Sequence, residues 1–153
     1  MSGLRLKIAE AGDEAHFVAL GRVMHATSIY EFLPFDEDIA WRTATDYIGK
    51  DGCCALLVMS GDEAVGMHLA SLTTYFFSPA ILAASLVTFV RPDKRGGRAA
   101  IILMRAYLDW AKTHHADEAY IGVSIGGESD KSHRFFTHLG FTHVGGNYKM
   151  RLS

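Results

Sequence analysis

Cysteine is scarce in this chain of 153 residues: there are two, Cys53 and Cys54, and they are neighbours. Adjacent residues in a strand face opposite ways, so a mutual disulfide is disfavoured. No C-x-x-C pair is present, and both thiols read as small core or strand residues in a reducing compartment. Proline is also rare, with three residues, Pro34, Pro79 and Pro92, each at a break between periodic segments. A basic surplus is missing: 15 Lys and Arg stand against 17 Asp and Glu. That balance argues against a general nucleic-acid binder and leaves a local patch at Lys94, Arg95 and Arg98. No apolar run reaches membrane-spanning length; the longest, Tyr75 to Val90, is interrupted by Ser78, Pro79, Ser85 and Thr88. Met1 to Glu10 carries no apolar signal core, so secretion is not expected and a cytoplasmic location is.

What is there describes a folded chain. Hydrophobic residues make up 49% and charged residues 21%, enough to bury one sizeable core. Residues 1–153 read as one domain, with no repeat, linker or low-complexity segment. Leu4, Leu6 and Ile8 alternate with polar residues and predict a first strand. A helix begins after Gly12 and Asp13, with Phe17, Leu20 and Met24 as its apolar stripe. Tyr30 to Phe35 reads as a loop, and a second helix runs from about Asp36 to Ile48. Ala55–Met59 and Ala64–Thr74, separated by Gly61 and Asp62, predict a hairpin. Ala83–Val90 reads as a buried central strand ended by Pro92. Ala99–Lys112 is an amphipathic helix with Ala100, Leu103, Tyr107 and Trp110 on one face. A strand at Ala119–Ile125 follows. Next comes a helix at Ser129–Leu139, with Ser129 as N-cap and Gly140 as stop, and then a closing strand over Phe141–Arg151.

The junction V-R-P-D-K-R-G-G-R-A-A, Val90 to Ala100, links the central strand to the amphipathic helix. A helix N-terminus offers unpaired N–H groups and roughly half a positive charge. Gly96 and Gly97 allow close backbone approach, and Arg95 and Arg98 carry charge suited to phosphate. Taken alone, an anion site and a plain turn with solvated arginines remain equally open. The stretch is neither a G-K-[ST] loop nor G-x-G-x-x-G. In its context, V-x-P-x-x-R-G after a central strand resembles the GCN5-related N-acetyltransferase (GNAT) superfamily, whose pyrophosphate loop is written [QR]-x-x-G-x-[GA]. The matching positions are Arg95, Gly96, Gly97, Arg98, Ala99 and Ala100, with Arg98 in place of the central glycine. Ser129 to Phe141, S-D-K-S-H-R-F-F-T-H-L-G-F, resembles the family's N-x-x-A-x-x-L-Y-x-x-x-G-F at the same spacing.

The resemblance implies an α+β, three-layer fold in which helices flank a mixed, mostly antiparallel central sheet, in the order β-α-α-β-β-β-α-β-α-β. It also implies acetyl-CoA as co-substrate. The pantetheine arm would pair with the strand edge at Phe89 and Val90, the loop from Arg95 to Ala100 would hold the pyrophosphate, and Ser129, Ser132 and Phe136 would complete the cofactor site. The implied reaction is amine attack on a thioester. An amine of pKa ~10.4 is almost wholly protonated at pH 7, a deficit of roughly 4.6 kcal/mol. A base or a desolvating pocket recovers part of it. The family's strand carboxylate has no counterpart in Ala83–Leu86, and Phe136 stands where many members carry the tyrosine acid. Glu31, in the loop after the first helix, is the preferred base, with His25 second. Tyr148 is the preferred proton donor, with Tyr107 and Ser132 as alternatives.

The eight histidines show no H-E-x-x-H or Cys/His cluster, so no metal is expected. Tyr75, Phe76 and Phe77 read as core or dimer packing, which leaves a homodimer open. The leading expectation is an N-acetyltransferase that moves an acetyl group from acetyl-CoA to a primary amine of a small molecule, peptide or protein, without nucleic-acid or membrane partners. Two others stand beside it: a GNAT-like protein that binds acyl-CoA without turnover and acts through protein contacts, and a phosphate-binding regulatory module.

Overall fold

A computed structural model describes residues 3–122 and 129–153. Its elements are β1 (Leu4–Ile8), α1 (Glu14–Ala26), α2 (Glu37–Tyr47), β2 (Cys53–Ser60), β3 (Glu63–Tyr75), β4 (Ser78–Val90), a short 3-10 turn (Pro92–Lys94), α3 (Ala99–Thr113), β5 (Glu118–Tyr120) and α4 (Ser129–His138). Among the described residues the sheet has five strands in the order β1-β2-β3-β4-β5. All pairs are antiparallel except β4 and β5, which run parallel. Joining two parallel strands requires a crossover, and α3 provides it.

Helices cover both faces of the sheet, which makes three layers. On one face Phe17 and Leu20 of α1 and Ala44 of α2 pack on Leu57, Met67, Leu69 and Phe89. On the other, Leu103, Met104 and Tyr107 of α3 pack on Leu56, Val58, Val65, Ala83 and Val90, with Phe135 and Phe136 of α4 and Leu139 just after it against the same cluster. Because β2 is covered on both sides, it reads as an unbroken apolar run, Cys54 to Met59, rather than an alternation. Asp36 caps α2 by accepting from the Ile39 amide at 3.1 Å. Glu14 ties the two helices together, accepting from the Gly12 amide at 2.8 Å and the Thr45 hydroxyl at 3.0 Å.

The expected elements form, with these corrections. β4 begins at Ser78, not Ala83, and contains Pro79. The β3–β4 register passes from Thr74–Ile81 to Tyr75–Ser78, so Pro79 sits in an irregularity where no ladder amide is needed. Phe76 and Phe77 form the turn between the two strands and are exposed, so they are not core of this chain. The β5 strand covers Glu118–Tyr120; residues 123–125 of the expected strand, and the N-cap geometry of Ser129, lie outside the described residues. The closing strand over Phe141–Arg151 does not form. Gly145 and Gly146 interrupt its alternation, and Val144, Tyr148, Met150 and Leu152 stay exposed. Cations hold this segment instead: Lys149 lies 4.1 Å from the Tyr30 ring centroid and Arg151 3.9 Å from that of Phe32.

Candidate functional site

Two features of β4 build the site. The first is its end. Arg91 is bound by Glu63 and by Asp93, the latter at 3.0 and 2.6 Å. These carboxylates raise the guanidinium's pKa, and the guanidinium in turn holds that of Asp93 below the usual range. Arg91 is thus neutralised before any ligand arrives. Arg95 folds back: its Nε donates to the Val90 carbonyl at 2.9 Å, and its guanidinium lies 5.3 Å from the Phe89 ring centroid. Gly96 takes φ +83°, a left-handed conformation that favours glycine. Gly97 does not, and a β-carbon built there would meet only the Lys94 carbonyl, at an ordinary 3.6 Å. Space above Gly97 is therefore open. Arg98 is the N-cap of α3 and makes no side-chain cap bond, and the first turn, Ala99 to Ile101, holds no acid. The leading N–H groups of a 15-residue helix are left free for an anion.

The second feature is a fork. The parallel ladder pairs Leu82 with Glu118, Ala83 with Ala119 and Ala84 with Tyr120, and among the described residues it ends there. The Tyr107 hydroxyl sits at the last rungs, 2.8 Å from the Ala83 carbonyl and 2.8 Å from the Tyr120 carbonyl. From Ser85 onward the outer edge of β4 is unpaired among the described residues, and it leads to Phe89, Val90 and the glycine loop. An extended chain with amide groups fits beside such an edge.

The sequence-derived residues divide between these features and a separate corner. Val90, Arg95, Gly96, Gly97, Arg98, Ala99 and Ala100 are contiguous around the α3 N-terminus. Phe89 is buried, with its side chain in the core that faces α1 and the Arg95 guanidinium against its ring. Ser132 is half-buried on α4; Phe136 is half-buried, with its ring edge-on to Phe135 and Phe141. Ser129 opens α4. Tyr107 is sequestered: burial raises its pKa, and its proton is shared between two carbonyls. The half-buried His25 holds a loop, because its Nε2 donates to the Leu33 carbonyl at 2.6 Å. Glu31 is exposed in the loop between α1 and α2, and Tyr148 is 95% exposed. The stacking of Lys149 and Arg151 brings the segment carrying Tyr148 to the loop carrying Glu31.

Sequence reasoning missed the group beside the fork. The register shift between β3 and β4 leaves Leu86 as an extra residue, since Leu69 pairs with Val87 but Ala70 with Ser85. That bulge places Ser85 and Thr88 on one face, with their hydroxyl oxygens 3.4 Å apart. Thr88 Oγ1 lies 2.7 Å from Nδ1 of His68, which is wholly buried on β3 with its ring 4.3 Å from that of Tyr107. Burial lowers the His68 pKa to about 3, so the ring is neutral at pH 7.

A profile of the acetyltransferase (GNAT) family matches residues 21–141, most of the chain. The chain belongs to the GNAT family. Sequence comparison with curated proteins found no match. Solved structures agree on the fold along the whole length. The aminoglycoside acetyltransferase AAC(6')-Iy, in complex with the bisubstrate analogue CoA-S-monomethyl-acetylneamine, is similar at TM-score 0.77 and 16% identity, over 99% of both chains. A transcriptional regulator from Bacillus halodurans C-125 is similar at 0.76 and 17%, over 98% of this chain and 100% of the other. The ribosomal-protein-alanine N-acetyltransferase of Brucella melitensis biovar Abortus 2308 gives 0.71 and 14%, over 99% and 100%. At such identities the likeness is one of fold. The family and the acetyltransferases among its neighbours support acyl transfer as the activity of this domain.

Proposed function

We propose that the protein transfers an acetyl group from acetyl-CoA to a primary amine of a small molecule, peptide or protein. The observation that carries this reading is the continuity, among the described residues, of open groups along β4: an unpaired strand edge, then room over Gly97, then helix N–H groups without a side-chain cap. Amide and diphosphate groups in series match that order. The diphosphate would lie on the amides of Gly97 to Ala100, with Arg98 near it. Arg95 would need to release the Val90 carbonyl to reach an anion, so its first task is to hold the loop. The pantetheine arm would extend along Ser85 to Val90 towards the fork, with Ser129, Ser132 and Phe136 of α4 beside it. Neighbours in complex with CoA or a CoA-linked aminoglycoside support acetyl-CoA and an amino-sugar-like acceptor.

Glu31 is the proposed base, acting through water, since its carboxylate is exposed and the incoming ammonium must lose a proton. Tyr148 is the proposed donor to the departing thiolate. A thiol of pKa near ~8.5 leaves without a strong acid, so loss of Tyr148 is expected to be mild. A specific observation favours a second reading, binding without turnover: Ala83–Leu86 has no acid and Phe136 has no hydroxyl. Thiol release from acetyl-CoA across a panel of amines tests between them. Turnover with any amine that falls in Glu31→Gln supports the enzyme. Acetyl-CoA binding with no acetylated product for any amine in the panel supports the binding module.

A further inference from the structure

His68 is a buried group that the reading above does not use. Among the described residues its Nε2 is buried without a hydrogen-bond partner, while Nδ1 meets Thr88. A buried N–H without a partner is rarer than an under-used acceptor. The tautomer with the proton on Nδ1 is therefore favoured, and His68 donates to Thr88 Oγ1. The Thr88 hydroxyl hydrogen is then free to point on to Ser85, and that of Ser85 to point away from both. Ser85 is half-buried and is the first β4 residue past the last rung of the fork. Such a chain is polarised in one direction, each donor strengthened by the one behind it.

We propose that the Ser85 hydroxyl, backed by that of Thr88, is a donor to the carbonyl oxygen of a thioester lodged in the β4–β5 fork, and that His68 is the positioning residue that fixes the direction of that pair. No proton is transferred; Ser85 supplies one hydrogen bond, polarised by Thr88 behind it, that strengthens as negative charge gathers on the oxygen. Three features come together for this, each without another evident purpose. The Leu86 bulge turns both hydroxyls to one side, the buried imidazole holds Thr88 with its other nitrogen unpaired among the described residues, and among those residues the fork opens at Ser85. A merely structural role would be served as well by an apolar residue at position 68.

The inference rests on the acetyl-CoA reading, and calorimetric titration with two compounds separates them. Acetyl-CoA carries the carbonyl oxygen; S-ethyl-CoA has the same chain length without it. Wild-type protein is expected to prefer acetyl-CoA by roughly three- to tenfold, the worth of one hydrogen bond. Ser85→Ala and Thr88→Val bring the ratio of acetyl-CoA to S-ethyl-CoA affinity towards one, and Thr88→Ser keeps it. His68→Leu lowers the ratio, and His68→Asn, whose amide can donate from near the Nδ1 position, restores part of it. Equal wild-type affinities, or a ratio that survives in both Ser85→Ala and Thr88→Val, overturn the donor site. A ratio lost in those two but kept in His68→Leu overturns the role of His68. If neither compound binds wild type, the acetyl-CoA reading itself falls.

Discussion

Gly96 and Gly97 are identical residues with different reasons for being there, and substitution separates them. Gly96 holds φ +83°, so Gly96→Ala is expected to cost about 1–2 kcal/mol of stability. Gly97 has ordinary backbone and free space, so Gly97→Ala should leave stability equal or raised by about 0.5 kcal/mol. It should nonetheless weaken CoA binding, because the added methyl occupies the ligand's side of the loop. Urea unfolding and calorimetric titration of both variants check this pair of outcomes. His68 makes a second prediction at this scale. Its folded pKa, about 3, lies below its ordinary value of 6.5, so the unfolded chain binds the extra proton as pH falls. Stability should therefore drop by about 2 kcal/mol between pH 7 and pH 5. The paired carboxylates do not confuse that window: Asp13 and Glu14, whose pKa values are also lowered, lose their contributions only near and below their ordinary values of 3.8 and 4.5. Urea unfolding at the two pH values should show the drop in wild type and not in His68→Asn.

Among the elements, α3 carries two tasks at opposite ends. Its N-terminus presents open amides, and its middle holds the fork through Tyr107. Tyr107→Phe strips the donor from two carbonyls on β4 and β5, Ala83 and Tyr120. A loss of about 1–3 kcal/mol is expected in urea unfolding, because the buried Ala83 carbonyl loses that partner. Most of α3 was legible in the sequence, since Leu103, Tyr107 and Trp110 recur at helical spacing. So was the hairpin turn at Gly61 and Asp62. The start of β4 was not, because Pro79 reads as a breaker wherever the register is unknown. The final strand was misread because alternation at Val144, Tyr148 and Met150 says nothing about whether a partner strand is present. The fork is invisible in sequence for a related reason: where β4 and β5 part depends on which residues pair, not on which residues they are.

At the scale of the molecule, an α3 N-terminus and β4 edge that bind CoA should stabilise the whole cooperative unit, since both belong to the sheet core. With ligand at a hundredfold excess over its dissociation constant, the gain is about 2.7 kcal/mol. For a chain of this size that is a rise in Tm of roughly 5–10 °C. Differential scanning fluorimetry with CoA and with acetyl-CoA measures it, and no shift with either would remove the cofactor assignment. The net charge of -2 suits a cationic amine as acceptor only weakly, so an amine panel should span neutral and polycationic members.

By itself the sequence determined most of the helices and strands and the glycine loop at the α3 N-terminus, which follow from periodicity, capping and turn chemistry within some fifteen residues; the three-layer class came through the resemblance to the GNAT family. Only the tertiary structure decided that His68, Thr88 and Ser85 form one chain of hydrogen bonds, that Arg95 turns back on Val90, and that Tyr107 bridges the fork. Those contacts join positions brought together by strand register, a bulge and a helix crossover. Register is a property of paired strands, and a linear chain does not record it.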